Sequence, residues 1–85
     1  MITASQAFTT VQNRERLPLL KGEDRLTIVY NTIITHINEG WLGCNLYKYL
    51  HNSDKLFIIR NLKNLGYLID SEYICYWTHN PVNIT

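Results

Sequence analysis

Three histidines, two cysteines and seven carboxylates are the side chains of this chain that could do chemistry, and their spacing gives them little to do together. His36, His51 and His79 with Cys44 and Cys75 would be the metal candidates. No two of the histidines stand at the i, i+3 or i, i+4 separation of helical ligands, and the cysteines form no C-x-x-C pair. A nucleophilic Cys44 would need a base held against it, and nothing in the sequence holds one, so Cys44 and Cys75 read as buried free thiols. Of the acids, Glu23, Asp24 and Asp54 fall where helix N-termini favour negative charge and need no acid–base role. The expectation is a chain with no catalytic residue, no metal and no cofactor. Lys55, Arg60 and Lys63, with Asn61 and Asn64, decorate the polar side of one helix and could read bases if that helix entered a DNA groove.

Composition narrows the alternatives. Eight Lys and Arg against seven Asp and Glu leave a formal charge of +1, far from the basic balance of a protein that coats phosphate backbones. Nucleic acid is therefore not the expected partner. Apolar residues make up 46% of the chain and charged ones 18%, below the common charged share of about 25%, which leaves neutral surface for contact. All six Tyr and both Trp lie after residue 29; their apolar bodies and polar tips suit interfaces as well as cores. Neither a leader pattern nor an apolar run of membrane-spanning length, about twenty residues, is present.

The elements that must position these residues follow from periodicity. Thr3 and Gln6 have capping-box spacing ahead of Ala4, Ala7, Phe8 and Val11, predicting a first helix over about 4–16, closed by Pro18. Leu26, Val29, Tyr30, Ile33, Ile34 and Ile37 predict a second helix running to Asn38 and stopped by Glu39-Gly40. Leu56, Ile59, Leu62 and Leu65, widened by Phe57 and Ile58, predict a third, capped by Asn52 and Ser53 and ended at Gly66. Tyr67 and Ile69, then Tyr73, Cys75 and Trp77, alternate across Asp70-Ser71-Glu72 as a strand pair. The segment Cys44 to Leu50 fits either a Tyr-rich strand or a helical turn. As a strand it gives one α+β domain over 1–85, ααβαββ, with a small sheet packed against helices. As a helix it gives the alternative, a winged helix-turn-helix. Residues 78–85 read as an extended arm.

The opening Ile2-Thr3-Ala4-Ser5-Gln6-Ala7, the helix end Asn38-Glu39-Gly40, Cys44-Asn45-Leu46-Tyr47, Leu62-Lys63-Asn64-Leu65-Gly66-Tyr67 and the aromatic stretch Tyr73 to Trp77 resemble a group of small α/β proteins of tailed bacteriophages, mostly without an assigned activity. The resemblance favours the strand reading and carries no functional residues. With it, the low charge, the abundant Tyr and Trp and the absence of a reactive cluster lead to the expectation of a non-enzymatic viral protein acting through protein–protein contacts, in the virion or the host cytoplasm, most simply a head, neck or tail accessory. Its partners would be other viral structural proteins or a host protein, with self-association also open. The expected contact surface is Tyr47, Tyr49, Tyr76 and Trp77 together with Asn80, Pro81 and Ile84 of the arm. Two rivals stand beside it: a winged-helix DNA-binding regulator using Lys55, Arg60 and Lys63, and an inhibitor of a host defence protein.

Overall fold

Each helix of the domain ends in the same way, and those ends set the fold's corners. The computed structural model describes residues 1–78. Helix α1 spans Ala4–Gln12, α2 Arg25–Asn38 and α3 Lys55–Asn64. After α2, Gly40 at φ 87° donates to the Ile37 carbonyl and Trp41 to that of His36; after α3, Gly66 at φ 89° donates to Lys63 and Tyr67 to Leu62. Both are Schellman closures on the glycines that the sequence marks. Helix α1 closes likewise, with Arg14 donating to Val11 and Glu15 to Thr10, but Arg14, not glycine, takes the left-handed position at φ 56°. That is why the helix stops at Gln12 and not near 16. At its other end the predicted capping box is present: Thr3 Oγ1 accepts from Gln6 N–H and Gln6 Oε1 accepts from Thr3 N–H.

Between α1 and α2 the chain is a strap held by two asparagines. Asn38 accepts from Leu17 N–H and donates to Leu17 O, while Asn31 does the same for Leu20. Seven residues of helix rise about 10 Å, as do three residues of extended chain, so the two amides meet the strap in register. Asp24 then caps α2, taking Thr27 N–H on Oδ2 and Thr27 Oγ1–H on Oδ1.

The fold is a small α+β domain in which three helices pack on a three-stranded antiparallel sheet of order β1-β3-β2: β1 Gly43–Asn45, β2 Leu68–Ile69 and β3 Ile74–Tyr76. Cys44 lies opposite Cys75, and Leu68 opposite Tyr76. The segment Cys44 to Leu50 divides between its two readings. Its start is strand, and Tyr47–Tyr49 is a single 3₁₀ turn. A helix-turn-helix needs a full helix ahead of α3, and Asn45 prevents one by accepting Tyr47 N–H on its own side chain, a local turn that competes with helix. The β2–β3 hairpin still follows α3 as a wing would.

Ala7, Val29, Ile33, Ile37, Leu46, Leu50, Ile58, Leu62, Tyr67, Cys75 and Trp77 form the core. On α3 the buried face is Ile58 and Leu62, with Ile59 and Leu65 partly covered, while Leu56 and Phe57 point outward. The expected stripe at every third residue fails for a geometric reason. Three residues advance about 300°, so a strict period of three slips about 60° per step and carries Leu56 to the far side from Leu65. The cap of α3 also differs from expectation: Asp54, not Asn52 or Ser53, is the N-cap, it makes no side-chain cap bond, and its carboxylate pairs with Arg25 Nε at 3.1 Å.

Candidate functional site

Of the eight large apolar residues exposed among the described residues, Leu56, Phe57 and Tyr47 lie on α3 or in the turn before it, while Leu19, Leu20, Ile28, Trp41 and Leu68 lie elsewhere. Leu56 is 67% exposed, Phe57 57% and Tyr47 56%. Leu56 and Phe57 are exposed because Ile58 and Leu62 fix the rotation of α3, which turns those two side chains away from the core. Tyr47 packs edge-on against His51 with ring centroids 4.4 Å apart, and lies 6.0 Å from Tyr73. Lys55 Nζ donates to Tyr73 Oη at 2.8 Å and sits 5.1 Å from the same ring. The hairpin and the first turn of α3 are thereby joined.

The hairpin has its own lock. Asp70 Oδ1 accepts from Glu72 and Ile74 N–H, and Oδ2 accepts from Tyr76 Oη. The Ile74 amide, with smaller help from Glu72 and Tyr76, holds the Asp70 carboxyl below the usual carboxylate range. Tyr73 occupies the left-handed corner at φ 62°, where such loops favour glycine.

The residues expected at a contact surface are split apart. Tyr47 is exposed. Tyr49 is half-buried against the core, with Lys48 Nζ 5.3 Å from its ring, and Tyr76 is half-buried with its hydroxyl spent on Asp70. Trp77 does not reach the surface at all: it is 2% exposed, packs edge-on to Tyr67 and donates its indole N–H to the Trp41 carbonyl. Strand alternation put Trp77 on the same face as Cys75, and that face is the core. Asn80, Pro81 and Ile84 lie outside the described residues. Of the basic trio, Lys55 is engaged with Tyr73, whereas Arg60 and Lys63 are exposed and pair with no carboxylate among the described residues. Leu56 and Phe57 were missed as surface residues; the buried i, i+4 pair Ile58 and Leu62 is the signal that would have found them.

Elsewhere the chemistry is quiet. Burial pushes the Cys44 thiol up to about 12 and the Cys75 thiol well above its usual value, so both stay protonated at neutral pH. His36 donates from Nδ1 to the Thr32 carbonyl. Among the described residues no three His, Cys, Asp or Glu come together as metal ligands, and no helix is long and apolar enough to cross a membrane. A cleft of about 370 Å³ under the strap is lined by Met1, Ile2, Leu17, Pro18, Leu20 and Ile34, with Gln6 its one polar side chain. A shallower one of about 550 Å³ lies between Lys63 and the hairpin at Asp70 and Tyr76. The first lining holds no titratable side chain; in the second the Asp70 carboxylate and the Tyr76 hydroxyl meet in the bond that locks the hairpin. No protein-family model, curated protein or solved structure was found to match the chain.

Proposed function

We propose that this protein is a non-catalytic module that works by binding another protein and that, in keeping with the resemblance to small phage proteins, it serves in a virion as a head, neck or tail accessory. The supporting observation is the outward pair Leu56 and Phe57 on α3, large apolar side chains that the core does not use. The rival reading, DNA binding through α3 and the hairpin, draws on the exposed Arg60 and Lys63. Against it, the first turn of α3, which would face base edges, offers Leu56 and Phe57, and neither can donate to a base. Lys55 is spent on Tyr73, and the hairpin carries the carboxylates of Asp70 and Glu72, which repel phosphate.

Mass spectrometry of purified particles of the encoding phage tests the setting. Detection at a reproducible copy number per particle is expected; clean absence removes the virion role and leaves a host protein as the partner. Titration of the full chain with duplex DNA at low and moderate salt tests the rival. No salt-dependent binding is expected, and a steep salt slope lost in Arg60→Ala/Lys63→Ala would replace the protein-binding reading with the DNA one.

A further inference from the structure

Resting on the protein-binding reading, we propose that the outward face of α3 docks an acidic amphipathic helix of the partner protein. The face runs from Leu56 and Phe57 through Arg60 to Lys63 and Asn64, about 12 Å along the helix axis. It is apolar at its start and cationic toward its end. Helix α3 contains no acidic residue, and neither Arg60 nor Lys63 has a carboxylate partner among the described residues. The charge that completes this face is therefore negative, and the exposed apolar pair asks for apolar anchors beside it.

The same geometry argues for a helix as the occupant. The backbone groups of α3 are committed to its own turns, so its outer face offers no donors or acceptors to an extended peptide, whose amides would go unpaired wherever they were covered. A helix satisfies its own backbone and can lay a ridge of Leu, Phe or Met beside Leu56 and Phe57, with Asp or Glu reaching Arg60 and Lys63. The described sheet edges, by contrast, are two or three residues long, too short for a firm strand addition.

Panning a library of helical peptides of about fifteen residues with randomised outer faces against the full chain tests this. Enrichment of Asp or Glu next to apolar anchors is expected. Fluorescence anisotropy of an enriched peptide should show binding weakened about tenfold by Arg60→Glu/Lys63→Glu and by Leu56→Ser/Phe57→Ser, with circular dichroism melts unchanged in both. Reversing the peptide's acids to Lys should restore affinity to the Arg60→Glu/Lys63→Glu chain. Enrichment without acidic bias, no enrichment, or binding indifferent to both variants overturns the proposal. So does concentration-dependent dimerisation of the chain that Leu56→Ser/Phe57→Ser abolishes, because a second copy would then own the face. If particle subunits crosslink to this chain but not through α3, the docking proposal fails while the protein-binding reading stands; if nothing crosslinks and the DNA titration is positive, both fail.

Discussion

Cys44 and Cys75 show how position decides what a side chain can do. They face each other across β1 and β3 at the centre of the sheet, and desolvation raises both thiols. A thiol is nucleophilic as the thiolate, so at pH 8 these two should resist a thiol-reactive dye in the native protein and react at once in denaturant. Quick labelling of the native chain would contradict the burial. The same shift has a consequence for stability, and its sign is fixed. Below about pH 9 the thiols are neutral in both states and cost nothing; above it the unfolded chain loses protons that the folded chain keeps, so stability falls between about pH 9 and the Cys44 value of about 12. Circular dichroism against pH should place an alkaline unfolding limb in that window, and Cys44→Val should move it upward. Asp70 works in the other direction. Its depressed carboxyl contributes stability above the unfolded value, near 4, that is lost as pH falls, and because the side chain stands near solvent the contribution is small. The hydrogen bonds matter more: Asp70→Asn keeps an oxygen for the Glu72 and Ile74 amides, so it should cost less than Asp70→Ala, for which about 1 to 2 kcal/mol is expected in a urea melt.

Among the elements, legibility in the sequence followed glycine. The ends of α2 and α3 could be placed because Gly40 and Gly66 announce a left-handed residue, and the start of α1 because Thr3 and Gln6 form a capping box. The end of α1 could not, since Arg14 sits where glycine is cheapest and no sequence signal marks it. Arg14→Gly should therefore stabilise the protein by about 0.5 to 1 kcal/mol, a rise of a few degrees in Tm, because a non-glycine residue pays roughly that much or more to be left-handed. A fall in Tm would mean that the Arg14 side chain makes a contact worth more than the strain. The strap was unreadable for a different reason. Asn31 and Asn38 look like ordinary helix residues, and only the matching rise of helix and extended chain turns them into clamps for Leu20 and Leu17. The candidate surface was read wrongly at Trp77 and missed at Leu56 and Phe57, both times because an apolar side chain has the same identity whether it faces a core or a partner; the rotation of its element decides.

For the whole molecule, the question is how 85 residues hold a core while leaving such large apolar side chains in water. A domain this small buries about 60% of its unfolded surface and has little stability to spare, so each element that covers the core is needed. Helix α1 is the telling case, since the sheet and the other two helices would look complete without it. Its first residue nevertheless donates to the Leu65 carbonyl at the end of α3, Ile2 accepts from the Tyr67 hydroxyl, and Ala7 is fully buried. Tyr67 is one of the largest fully buried side chains, and it packs edge-on to Trp77. Removing residues 1–13 would open that aromatic pair to water and leave the Leu65 carbonyl without its amide. The shortened chain is expected to lose its cooperative thermal transition and its dispersed amide spectrum, whereas Leu56→Ser/Phe57→Ser, which changes side chains that stand mostly in water, should keep both. A truncated chain that melts cooperatively near the full-length Tm would mean that α1 is an appendage; retention of the fold by the surface variant alone would separate the residues that build this domain from those its core does not use.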